Sequence, residues 1–92
     1  MTRTYTEAEA REHLLNHFDE MVRFRFALDR TAREKAYGLV GDILATFDGH
    51  AQDLPGIDLM LRPHKGYQSG QIVNDGVALS KAWVTLTANE KG

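Results

Sequence analysis

The 92-residue chain contains no cysteine. That excludes a disulfide framework, thiolate zinc sites, iron–sulfur clusters and a cysteine nucleophile. Proline occurs only twice, so a collagen-like repeat is excluded as well. No stretch approaches the 18 apolar residues that suggest a membrane-spanning helix. The segment Met1 to Glu7 lacks the apolar region of a secretory signal, which makes a cytoplasmic protein the expectation. A net basic field is missing too: 11 Lys and Arg face 13 Asp and Glu, for a formal charge of −2. Proteins whose main task is gripping nucleic-acid phosphates usually carry such a field. What is present is the ordinary composition of one small globular domain, 42% hydrophobic and 26% charged, expected to span residues 1–92.

Helical signals dominate the first half. Thr6-Glu7-Ala8-Glu9 fits a capping box, and Leu14, Leu15, Phe18, Met21 and Val22 follow at helical spacing, predicting a helix over about 7–24. Thr31-Ala32-Arg33-Glu34 is a second capping box, with Asp29 as a rival cap. Ala32, Ala36, Leu39, Val40, Ile43, Leu44 and Phe47 then line one arc, predicting a helix over about 32–47 that stops at Gly49. The short connection favours an αα-hairpin.

Strand-like signals dominate the rest. Ile57, Leu59 and Leu61 alternate with polar residues up to Pro63, predicting a strand over about 57–62. Residues 71–74 and 77–87 flank or follow Asn74-Asp75-Gly76, and Trp83-Val84-Thr85-Leu86-Thr87 is rich in β-branched and aromatic types. These features predict two further strands joined by a turn with Gly76 left-handed. The alternation changes phase near Ser80-Lys81, as a bulge would. The expected fold is therefore α+β, with the helical hairpin packed on one face of a three-stranded antiparallel sheet.

Four groups of residues are candidates for function. Arg23, Phe24, Arg25, Arg30 and Arg33 form the one basic–aromatic cluster, suited to a protein interface or to phosphate and base contacts. Acidic neighbours Asp19, Glu20, Asp29 and Glu34 can cancel that charge locally, so a solvated, ion-paired helix junction is the simpler reading. As an interface the cluster is preferred because Phe24 and Phe26 cannot easily both be buried in one helix. Tyr67, in the loop after Pro63, is a second possible anchor. His13 and His17, four apart on the first helix, share the geometry a zinc or nickel ion uses, but solvated histidines are the simpler reading and no metal is expected. Gly38, Gly41 and Ala45 make a small-residue strip that could let a second copy approach as a homodimer. Asp58, His64, Ser69 and Ser80 offer the raw material of an enzyme without triad spacing, a phosphate loop or a nucleophile elbow. Neither catalysis nor a cofactor is expected.

The stretches Ala10–Leu14, Met21–Phe26, Thr31–Ala36, Ile43–Gly49 and Leu54-Pro55-Gly56 resemble small uncharacterised proteins encoded in bacteriophage and prophage genomes, over about the first two thirds of the chain. The resemblance implies an accessory protein that binds and modulates, often inhibits, a host protein, including components of antiviral defence. It carries no catalytic residues with it. The expectation is thus a non-enzymatic protein–protein interaction module, with a small nucleic-acid-binding regulator using Arg23 to Arg33 as the alternative.

Overall fold

In the computed structural model, which describes residues 4–88, the chain begins with helix α1, Glu7–Arg25. Its capping box forms as the sequence predicts. The Glu9 amide donates to Thr6 Oγ1 and the Thr6 amide to Glu9 Oε1, both at 3.1 Å. Helix α2, Arg30–Phe47, starts two residues earlier than its periodicity suggests. Here the rival cap prevails: Asp29 Oδ1 accepts from the Ala32 amide at 3.0 Å, so Arg30 and Thr31 are already helical. Helix α2 closes in a Schellman motif. The His50 amide reaches the Ala45 carbonyl at 3.0 Å, the Gly49 amide reaches Thr46 at 3.1 Å, and Gly49 takes φ 90°, a conformation cheap only for glycine.

The second half of the chain departs from expectation. Residues 79–87 form a third helix, α3, Leu79–Thr87, and no strand or sheet is present among the described residues. The α+β fold with a three-stranded sheet is therefore corrected to three helices joined by a long irregular segment. Segments 57–62 and 71–74 do lie antiparallel, with the Val73 amide on the Leu59 carbonyl at 3.0 Å and the Leu61 amide on Gln71 at 2.8 Å. Yet their ladder stops at one isolated bridge, Met60 to Ile72. The Asn74 side chain fills the next place, accepting from the Leu59 amide at 2.9 Å and donating to the Ile57 carbonyl at 2.8 Å. Gly76 is left-handed as predicted, φ 67°, but its turn leads into α3 instead of a returning strand.

Helix α3 exists because the rest of the protein caps and covers it. A nine-residue helix with three β-branched residues among its last four would not form alone, and Ala78 supplies no side-chain cap. Asp48 at the end of α2 does so instead. Its carboxylate accepts from the Leu79 amide at 2.8 Å, the Ser80 amide at 2.9 Å and the Ser80 hydroxyl at 2.7 Å. The phase change at Ser80-Lys81 is thus the onset of a helical period: Leu79, Ala82, Trp83 and Leu86 turn one stripe inward. The β-branched hydroxyls are accommodated locally. Thr85 and Thr87 donate to the carbonyls four residues back, Lys81 at 3.1 Å and Trp83 at 2.8 Å.

The core joins all three helices through Leu15, Val22, Tyr37, Leu44, Leu79 and Trp83. Trp83 is its centre. The indole Nε1 donates to the Tyr37 carbonyl at 2.9 Å, and the ring lies against Gly41, where a Cβ would already touch Trp83 Cδ1 at 3.4 Å and leave no space for a larger side chain. On its other end Tyr37 donates its hydroxyl to Asp19 Oδ1 at 2.7 Å, which ties α2 to α1. Arg11, on α1, donates through Nε to the Val73 carbonyl at 2.7 Å and anchors the irregular segment. This core is rotated from the predicted α2 arc. Leu44 is buried and Ala36, Val40 and Phe47 are partly so, but Leu39 and Ile43 face outward. No helix of the described residues is long and apolar enough to cross a membrane.

Burial alone would raise the pKa of Asp48, but the backbone and hydroxyl bonds from Ser80, the Leu79 amide and nearby His50 outweigh it and hold the carboxyl below its ordinary 3.8. A group whose folded pKa is depressed stabilises above its unfolded value and loses that contribution as pH falls through the folded one. Asp48→Ala should cost about 1–2 kcal/mol, as loss of a helix cap does, and lower Tm by roughly 4–15 °C. In thermal melts followed by circular dichroism, the gap between the native protein and Asp48→Ala should narrow as pH drops below 3.8.

Candidate interaction surface

Helix α1 ends where α2 needs room to turn back. The Phe26 amide still reaches the Val22 carbonyl at 3.0 Å, after which Arg33 from α2 donates to the Phe26 and Ala27 carbonyls at 3.5 and 3.3 Å. The Phe26 carbonyl, which also accepts from the Asp29 amide at 3.2 Å, and the Ala27 carbonyl belong to the turn between the helices. Arg33 therefore closes the hairpin. Arg23 is held by Asp19 through Nε at 3.0 Å, and Arg30 by Glu34 at 3.3 Å, both four residues apart along their helices. Neither Arg33 nor Arg25 has a carboxylate within ion-pair distance among the described residues, and Arg25 has no hydrogen-bond acceptor there either.

The apolar side chains of the same region divide between inside and outside. Phe26 packs against the core, whereas Phe24 is 89% exposed and Leu28 fully so. At about 100° per residue, Phe24 points roughly 160–200° away from Val22 and Phe26, so no rotamer returns it to the core. Met21 is half exposed, and Phe24 and Leu28 border one open depression at the hairpin's closed end. Beside it lies an open groove of about 340 Å³ between α1 and α2, floored by Val22, Phe26 and Val40 and flanked by Met21, Leu39 and Arg25.

The other predicted residues lie elsewhere. Tyr67 does not join the arginines. Its hydroxyl meets His13 Nδ1 at 2.9 Å, and its ring lies 4.8 Å from Tyr5 and 5.9 Å from His64. From His13 to Arg25 is about 18 Å along α1. With the Tyr5 amide on the Gly66 carbonyl at 2.7 Å, this cluster docks the 64–67 turn on the start of α1. His17 rests near Phe18, ring centres 6.5 Å apart, and His13 points to Tyr67. No group of three or more metal-ligating side chains occurs among the described residues.

The small-residue strip is split by the third helix. Gly41 faces Trp83, while Gly38 has nothing within 4 Å of a Cβ placed on it. Of the candidate enzyme residues, Ser80 gives its hydroxyl to Asp48, and that carboxylate already accepts two amides, so the pair forms a helix cap. An open depression beside it is lined by Asp48, His50 and Asp58 among others. Sequence reasoning missed two structurally decisive polar residues, Arg11 and Asp48. Asp48 had a signal in its place just before Gly49, and Arg11 had none. No protein-family model, curated protein or solved structure matches the chain.

The two glycines should respond oppositely to substitution. Gly38→Ala, in open space within a helix, should stabilise by about 0.5–1 kcal/mol. Gly41→Leu must displace Trp83 and should destabilise by about 1–3 kcal/mol. Urea denaturation of both variants measures the difference.

Proposed function

We propose that this protein is a non-enzymatic interaction module of the cytoplasm that binds and modulates another protein through the closed end of its α1–α2 hairpin. One observation carries the reading: Phe24 and Leu28 stand clear of the core at the hairpin's closed end, Phe24 89% exposed and Leu28 fully so. Aromatic side chains held clear of a protein's own core suit the centre of an interface. The surrounding arginines reinforce this use. Asp19 pairs with Arg23 and Glu34 with Arg30, so two of the four cations have an opposite charge beside them. That favours a protein partner over a nucleic-acid phosphate backbone. The resemblance of the first two thirds of the chain to phage-encoded accessory proteins points the same way, toward a host protein, with antiviral defence components as one class.

Affinity capture from bacterial lysate, with the native protein and a Phe24→Asp, Leu28→Asp double variant, tests the proposal. Both residues are exposed, so the variant should melt within a few degrees of the native protein, and capture of the partner should fall at least about tenfold. Binding should survive nuclease treatment and change little with salt. Nucleic-acid binding through four arginine–phosphate contacts would instead weaken about a hundredfold between about 50 and 200 mM salt, and that result would overturn the proposal.

A further inference from the structure

We infer that the groove between α1 and α2 receives an amphipathic helix of the partner, whose apolar stripe carries an Asp or Glu at its edge to pair with Arg25. The inference rests on the proposed interaction role and specifies what the partner must look like. Three observations lead to it.

The first is chemical. The groove floor of Val22, Phe26 and Val40, with Met21 and Leu39 as walls, is apolar apart from one charge, the guanidinium of Arg25. Leu39 is 61% exposed and Met21 53%, so an occupant gains apolar contact on both sides. The second is electrostatic. Arg23, Arg30 and Arg33 have internal acceptors, whereas Arg25 has no carboxylate partner within the described residues, and Lys35 lies one helical turn before Leu39 in the same state. An acidic group alongside an apolar stripe complements that pattern. The third is geometric. A partner strand has no sheet edge to extend among the described residues, but two adjacent helices form a groove that takes a third helix on anchors at i, i+3 or i+4, and i+7. From Phe18 to Arg25 the groove offers about 10 Å, or two turns.

A second copy of this chain is the obvious competitor, and charge argues against it. A two-fold interface sets the same patch against itself. The groove lining of a second copy again holds Arg25 and no carboxylate, so it offers that guanidinium no acidic partner.

The test is a display selection on the intact protein. The library holds helical peptides of about 15 residues with leucine fixed at i, i+4 and i+7 and the flanking positions randomised. Acidic residues should be enriched beside the stripe. Binding should fall at least about tenfold with Arg25→Glu and recover when the peptide's acid is changed to lysine. Leu39→Glu should abolish it. Both substitutions are on the surface, and helical circular dichroism confirms that the variants fold. Enriched peptides without acidic bias, or indifferent to Arg25→Glu, would overturn the inference, as would a dimer in sedimentation that Leu39→Glu dissociates. Should capture from lysate still depend on Phe24 and Leu28 in that case, the interaction role stands and only the helical, acidic occupant is lost.

Discussion

The carboxylate of Asp48 holds the two halves of this protein together. It sits at the C-terminal end of α2, where a negative charge opposes the helix dipole by about 0.3–1 kcal/mol. The same charge sits at the N-terminal end of α3, where the dipole favours it by a comparable amount. These two terms nearly cancel. What decides the matter is the set of three donors from Leu79 and Ser80, which act together as the cap whose loss costs about 1–2 kcal/mol. Burial of the carboxyl works against them and loses. With α3 started in that place, Trp83 comes over Gly41 and its indole finds the Tyr37 carbonyl. Without it, the helix has no cap of its own and a sequence poorly suited to forming one.

Where α3 lies determines which side of α2 is left open. The third helix covers the Tyr37, Gly41 and Leu44 side, and α1 covers Ala36 and Val40 only in part. The protein is consequently thin, 42 by 37 by 19 Å. Its radius of gyration is 14.3 Å, against about 12 Å for a compact domain of this length. A thin molecule has much surface for its core, and some apolar residues have nowhere to go. Leu39 and Met21 are in that position on either wall of the groove. Isolated exposed leucines need no explanation; one that faces Met21 across a shared groove does.

The first half of the fold was legible because its signals are local. A capping box at Thr6 and Glu9, an Asx cap at Asp29 and a left-handed Gly49 each act within a few residues, so spacing alone reveals them. The second half is governed by contacts between distant residues. Val84, Thr85 and Thr87 favour strands when read singly, yet Asp48, over 30 residues earlier, starts a helix there and Trp83 holds it down. The phase change at Ser80-Lys81 was the visible trace of that helix, and a bulge explained it equally well. Leu39 and Ile43 were misplaced for a related reason. Periodicity shows that an apolar arc exists on α2 but not which part of it a neighbour covers.

The candidate surface shows the same limit from another direction. A sequence displays four arginines between residues 23 and 33, and four formal charges suggest a basic site. Their neighbours change that sum. Exposed pairs such as Arg30 with Glu34 add only about 0.3–0.5 kcal/mol to a helix, but they also remove a cation's pull on any outside anion. Arg33 has its guanidinium turned to backbone carbonyls of the turn between the helices. Of the four, Arg25 is the cation that lines the groove. A lone cation beside apolar anchors selects for one well-placed carboxylate. It does not favour a run of phosphates, and this separates a protein-binding surface from a nucleic-acid-binding one of similar composition.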